Sequence, residues 1–202
     1  MDDPHTPSIP RRSSPLLGLV ESEVLSEGWT VLRRVTYDLR RLDGETERQT
    51  REVYERGPAA CVLPFDPQRS TVLLVRQFRL PPYLAGVDAP LLEVCAGVLD
   101  ADEPEACVRR EAEEELGYRL HDLKLAFSAF ASPGSVLERV WCFTARYGPQ
   151  DKVAPGGGCA HEGEDIEVLE LGFREAYDLI GTGGIVDAKT IMLLQHLKIS
   201  LG

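Results

Sequence analysis

Between Trp29 and Leu39 the chain reads WTVLRRVTYDL, a β-branched and aromatic run interrupted by polar residues, and a second run of this kind ends at Tyr54. Leu42-Asp43-Gly44 lies between them, and Asp-Gly favours a tight hairpin turn because its residues tolerate positive φ. The pair predicts a small antiparallel β subdomain over residues 16–57. After Arg56-Gly57-Pro58 the pattern changes. Ala59–Phe65 and Thr71–Phe78 are nearly continuous apolar runs separated by Asp66-Pro67, as expected of strands buried in a main sheet. Leu91–Cys95 reads as a further short strand, with Ala96-Gly97 opening an acid-rich loop that lasts to Pro104. A helix is predicted from about Pro104 to Leu116. Pro fits the first helical position, Asp102 or Glu103 can cap it, and Gly117 supplies the stop. Strands are expected at Lys124–Phe130 and Val140–Tyr147, a long Gly/Pro-containing loop at 148–165, and a last strand at Ile166–Leu171. Arg174–Ile180 reads as a short helix, and Asp187 is placed to cap a terminal helix to about Lys198. Helices and strands interleave without repeats, which predicts a sheet sandwiched by helices over 58–202.

Composition narrows the class. The 202 residues suffice for one generous domain with a core that needs no disulfides, and 43% hydrophobic against 27% charged residues is the balance of a globular protein. Residues 1–15 hold four prolines and no apolar periodicity, so a disordered tail is expected. A net charge of −11 argues against a grip on nucleic acid. No apolar stretch is long enough to span a membrane and the N-terminus lacks the apolar core of a secretory signal, so a cytoplasmic protein is expected. Cys61, Cys95, Cys107, Cys142 and Cys159 show no CxxC pairing and read as reduced, mostly buried thiols.

The charge is local. Residues 98–117 carry eight acids and two arginines, a net −6, and residues 161–175 carry six acids and one arginine, a net −5, so the remainder of the chain is neutral. On the predicted helix Val108, Ala112 and Leu116 fall at i, i+4 and i+8 and form a stripe for packing on the sheet, while Glu111, Glu114 and Glu115 share a neighbouring face. Like charges at this spacing repel, so they are either diluted by solvent or neutralised by a cation. Hard oxygen donors select Mg²⁺, with Mn²⁺ as a substitute. Arg110, four residues before Glu114, is placed to pair with a helix carboxylate and fix its rotamer.

The pattern Gly97-x5-Glu103, six residues, then Arg110-Glu-Ala-x-Glu-Glu-x-Gly-Tyr118 resembles the Nudix box, the signature of hydrolases of nucleoside diphosphates linked to another moiety. It departs from the usual pattern in one place, six residues rather than seven before Arg110. The shortening falls at the helix entrance and leaves the register of Arg110–Glu115 intact. The expected fold is therefore α+β, a Nudix-type α/β/α sandwich with a mixed central sheet and a small N-terminal antiparallel β subdomain. Beyond the box, Arg51-Glu-Val-Tyr-Glu-Arg-Gly57, Val75-Arg-Gln-Phe-Arg79, Glu93-Val-Cys-Ala-Gly97, Glu164-Asp-Ile-Glu-Val-Leu-Glu170 and Lys189-Thr190 look like the GDP-mannose pyrophosphatase branch, over about residues 24–198. The neighbouring ADP-ribose pyrophosphatases share the Arg-Glu-Val and Arg-Gln-Phe-Arg segments.

That resemblance implies metal binding by the main-chain carbonyl of Ala96 and by Glu111, Glu115 and Glu164, with Glu162 or Glu167 as alternatives to Glu164. It implies substrate contacts from Trp29, Thr50, Arg51, Glu52, Arg79, Glu138 and Lys189. The implied chemistry is hydrolysis of a nucleotide-sugar diphosphate assisted by Mg²⁺, with Glu164 or Glu115 accepting the proton and Glu114 and Arg110 supporting the helix cluster. The 148–165 loop is expected to close over substrate. GDP-mannose yielding GMP and mannose 1-phosphate is the first expectation, ADP-ribose hydrolysis the second, and a catalytically silent nucleotide-sugar-binding module the third. A homodimer with exchanged N-terminal strands is implied in the same way.

Overall fold

The computed structural model describes residues 14–87, 89–99, 102–159 and 163–202. The expected tail falls outside them except for Ser14 and Pro15. The described residues form two compact units, one from the chain up to Arg56 together with Ser132–Leu137, the other from Gly57–Ala131 with Glu138–Gly202.

The first unit is a four-stranded sheet in the order β1(Leu17–Glu27), β2(Val31–Arg40), β3(Thr46–Glu55) and β9(Val136–Leu137). The hairpin closes at the predicted place. Asp43 Oδ1 accepts from the Glu45 backbone N–H at 3.1 Å, and Gly44 takes a φ of 90° that a side chain would disfavour. Two features were not foreseen. β1 pairs antiparallel with β2 although its side chains are almost all exposed, so it carries no one-sided apolar alternation from which to read it. The end of the Ser132-Pro133-Gly134 segment adds β9 to β3 in parallel, with Tyr54 N–H donating to the Ser135 carbonyl at 2.8 Å.

The second unit is built on a seven-stranded sheet whose main path runs β11(Glu167–Gly172), β5(Thr71–Gln77), β4(Ala59–Asp66), β10(Arg139–Arg146), β8(His121–Phe130). β10 and β4 are parallel and the other neighbours antiparallel, so the sheet is mixed as expected. β4 is buried along its whole length because alternate residues enter opposite cores. Ala60 and Val62 pack with Val108, Ala112 and Leu116 on the face covered by α2(Pro104–Glu111), whereas Cys61, Leu63 and Phe65 pack with residues of α3(Phe173–Thr182) and α4(Ala188–Leu201). This is the α/β/α sandwich. Leu99, Leu116, Leu193 and Leu194 lie within these cores, and each buried leucine contributes roughly 1.5–3 kcal/mol of transfer free energy.

The single strand predicted at Leu91–Cys95 is two. β6(Leu91–Glu93) pairs with β5 and β7(Cys95–Val98) with β4, so Ala96 and Gly97 lie in a strand rather than opening a loop. The break is at Val94, whose N–H leaves the ladder and donates to Thr190 Oγ1 of α4 at 2.8 Å. A one-turn α1(Leu80–Leu84) with prolines in its first turn follows β5 and was also not predicted.

Candidate active site

The helix behind the acidic cluster begins at Pro104, but neither expected cap forms. Glu103 occupies the N-cap without a side-chain bond, and Asp102 instead lies 3.5 Å from Arg110 Nε. Val108, Ala112 and Leu116 are fully buried, as their spacing predicted. From Ala112 to Leu116 the helix widens into a π turn, with Gly117 N–H donating to the Ala112 carbonyl five residues back. Such turns occur mostly as isolated bulges, frequently at functional sites. This one ends at Gly117 in the left-handed conformation.

The Gly156-Gly157-Gly158 run closes the end of that helix. Gly157 N–H donates to the Glu115 carbonyl at 2.8 Å and Gly158 N–H to the Glu114 carbonyl at 3.1 Å, while Val153 and Ala154 N–H groups share the Gly117 carbonyl. They satisfy carbonyls that a helix end otherwise leaves orphaned. A Cβ on Gly156 would run into the backbone of Glu115 and Leu116. Residues 153–158 are therefore a strut fixed to the helix, which corrects their reading as part of a closing loop. Residues 160–162 of the loop, including Glu162, lie outside the described residues.

The strut and β7 bring the acids together. Glu115 is only 2% exposed, and its Oε2 accepts from the Ala96 N–H at 3.2 Å. Glu111 is buried against Gly97, where any Cβ would collide with its carboxylate, so this position must be glycine for Glu111 to occupy it. Glu164 Oε2 accepts from the Cys159 N–H at 2.9 Å and fills the space that a Cβ on Gly158 would take. Burial pushes the Glu115 carboxyl up to about 8; the Cys95 thiol and Ala96 N–H oppose the rise, and the Glu111 and Glu164 charges add to it. Burial also raises Glu111, against the pull of Arg110 and with a push from Glu114 and Glu164. Cys95 is raised well above an ordinary thiol by burial and by Glu115, so it remains a neutral donor.

Arg110 Nη1 reaches Glu114 at 2.9 Å, the i,i+4 pair expected, and its Nη2 reaches Glu111, also at 2.9 Å. A single guanidinium thus holds two helix carboxylates. Among the described residues no three His, Cys, Asp or Glu side chains already converge at ligand distances. The donor set nevertheless suits a hard divalent cation: carboxylate oxygens next to the Ala96 peptide, two of the carboxylates raised in proton affinity by burial and, to a smaller extent, by the charge of neighbouring carboxylates. Glu167 of β11, an alternative to Glu164, is turned to Arg76 of β5 at 2.8 Å.

A second charged group is also assembled in this unit. Arg79 binds Glu93 with two bonds, Nε to Oε1 at 2.8 Å and Nη2 to Oε2 at 3.1 Å. Lys189 Nζ is 2.6 Å from Asp187 Oδ1 and 3.8 Å from Glu93 Oε2. Glu93 was missed by the sequence reading, because a lone acid inside LLEVC carries no periodic signal. Glu138 is half-buried at the edge of β10, its carbonyl accepting from Ala131 N–H. In the first unit Trp29 is 88% exposed with the Arg56 guanidinium 5.4 Å from its ring centre. Thr50, Arg51 and Glu52 follow one another on exposed β3. Thr50 Oγ1 shares a bond with Thr36, Arg51 donates to the Thr50 carbonyl and to Gln49, and Glu52 lies 3.8 Å from Arg34.

A mixed sheet between two helical layers, with the acids of one helix gathered over a glycine-bearing strand, defines an α/β/α protein whose chemistry is carried by that helix. The profile described as the NUDIX domain matches residues 55–179, and the chain belongs to the Nudix family. Residues 18–54 match the profile described as the GDP-mannose pyrophosphatase NudK N-terminal domain. The chain is 47% identical over 182 residues to a GDP-mannose pyrophosphatase of Cronobacter sakazakii, covering 90% of this chain and 94% of that one. It is 45% identical over 183 residues to the protein of the same name from Escherichia coli O1:K1 / APEC, covering 90% and 95%. A solved structure titled as an ADP compounds hydrolase superposes with a TM-score of 0.69 at 17% identity, covering 94% of this chain and 96% of that one, which establishes shared fold.

Proposed function

We propose that this chain hydrolyses the diphosphate of GDP-mannose to GMP and mannose 1-phosphate, using Mg²⁺, for which Mn²⁺ can substitute. The observation that carries the chemistry is the buried Glu111–Glu115 pair beside Ala96 and Gly97, with Glu164 contributing to its field. The similarity to GDP-mannose pyrophosphatases over nine-tenths of the chain supports the substrate. Glu111, Glu115, Glu164 and the Ala96 carbonyl hold the metal. When bound, Mg²⁺ neutralises diphosphate charge and makes water a stronger nucleophile.

The remaining work belongs to the chain itself. Arg110 fixes Glu111 and Glu114, and Glu164 or Glu115 accepts the proton of the attacking water. Arg79 and Lys189 bind the diphosphate; guanidinium groups suit phosphoryl oxygens because they donate parallel bonds. Trp29 offers a ring for stacking on the base, and Thr50, Arg51, Glu52 and Glu138 complete the substrate contacts. We assign the working form as a cytoplasmic homodimer that exchanges its N-terminal strands.

The test is a panel of GDP-mannose, ADP-ribose, UDP-glucose and dinucleoside polyphosphates with Mg²⁺ and product identification. GMP and mannose 1-phosphate, lost on chelation, are the expected products. Faster cleavage of ADP-ribose would overturn the substrate, and nucleotide-sugar binding without any phosphate-ester product would overturn the hydrolysis.

A further inference from the structure

The two cations proposed to bind the diphosphate are not independent surface charges. Glu93 lies between them, its side chain 3% exposed, binding Arg79 through two bonds and approaching Lys189 at 3.8 Å. Asp187 holds Lys189 from the other side at 2.6 Å and is itself fixed, its second oxygen accepting from the Thr190 N–H at 2.9 Å and from Thr190 Oγ1 at 2.7 Å. Thr190 Oγ1 in turn accepts from the Val94 N–H at the strand break beside Glu93. Strand β6 and the start of α4 are thereby joined through side chains.

The layering is directional. The carboxylates lie inside, Glu93 and Asp187 side chains being 3% and 12% exposed, and the cations lie outside, Arg79 and Lys189 at 38% and 26%. Glu93 occupies the Nε and Nη2 edge of the guanidinium, leaving Nη1 to donate elsewhere. Lys189 likewise spends one of its three donors on Asp187. Burial alone would lower both cations, but the neighbouring carboxylates outweigh it and the net shift of each is upward, so both remain charged.

We infer that Glu93 and Asp187 are positioning residues that present Arg79 and Lys189 as one preoriented anion seat for the diphosphate of the substrate. This rests on the reading of Arg79 and Lys189 as diphosphate contacts. In E93Q the amide keeps the shape but loses the charge, and its NH₂ faces a donor, so Arg79 loses one of its two bonds. Presenting the cations ready-oriented cuts the ordering cost of binding, a cost that falls on KM more than on turnover.

The test is steady-state hydrolysis of GDP-mannose with Mg²⁺ by the full-length protein and by E93Q, R79A, K189A and E93Q/R79A, with melting temperatures measured alongside. The expected result is KM raised about tenfold in E93Q with kcat within about threefold of wild type, and a clearly smaller effect of E93Q once Arg79 is removed, the remainder acting through Lys189. If R79A and K189A raise KM while E93Q matches wild type, or if E93Q and R79A are simply additive, the positioning role is overturned and the diphosphate contacts stand. If R79A and K189A match wild type, the contact reading falls and takes this one with it. Should E93Q fail to fold, D187N carries the test, since Asn preserves the helix cap: a raised KM supports the seat and an unchanged KM overturns it.

Discussion

Two charged clusters in the sandwich unit are built on opposite principles. Around Arg79 and Lys189 each cation meets a carboxylate, and the set is electrically balanced as it stands. Around Glu115 the fold gathers acids with acids, and the Arg110 guanidinium is spent on Glu111 and Glu114. Burial and this crowding hold Glu115 near 8. The difference teaches where the fold tolerates electrostatic strain. A balanced cluster compensates each buried charge and orients its members, whereas a buried cluster of one sign is kept at the expense of stability and is relieved by a proton or a bound cation.

Substitutions break this contrast in graded order. E115Q should have the largest effect, lowering turnover by roughly a thousandfold or more while the metal-free fold remains intact or becomes more stable at pH 8. Steady-state rates and thermal melting in chelator check both halves. G97A comes next: the new methyl group occupies the place of the Glu111 carboxylate and should cost about a hundredfold in rate through displaced ligand geometry. Its KM should change far less than its kcat, the reverse of the split expected for E93Q.

The next effect is visible in stability against pH. The Glu115 carboxyl holds its proton in the folded state up to about 8, well above the ordinary 4.5, so between those values the folded state binds the proton that the unfolded state has released. Its stabilising contribution is complete below about pH 4.5 and is lost as pH rises through about 8, an effect of up to about 5 kcal/mol. Metal-free wild type should therefore lose more stability than E115Q between pH 5 and 8 in urea melts, and Mg²⁺ should restore it to wild type alone. Smallest is R76A, which removes an exposed pair with Glu167 and should change stability by less than about 0.5 kcal/mol with unchanged turnover.

Much of the acidic cluster was legible because periodicity is local: the register of Glu111, Glu115 and the Val108–Ala112–Leu116 stripe follows from helix geometry alone. The π turn was not, since its carbonyls are bound by the strut from Gly156–Gly158, about forty residues away in sequence, and its spacing leaves no local mark. The balanced cluster was half legible. Arg79 and Lys189 came through resemblance, but Glu93 reads as one polar residue in a short apolar strand, and its partners are fixed only when the strand breaks at Val94 to meet Thr190. β1 escaped notice for the opposite reason, having no buried face to impose alternation.

The central claim is that the Glu111–Glu115–Glu164 cluster holds a proton that a divalent cation replaces. It is tested most directly by titrating the metal-free protein with Mg²⁺ in a calorimeter at pH 7, in buffers of different ionisation enthalpy. With Glu115 titrating near 8, binding should release most of one proton from that carboxyl in wild type and none from the amide in E115Q. Binding without proton release in wild type, or the same release in E115Q, would contradict the account.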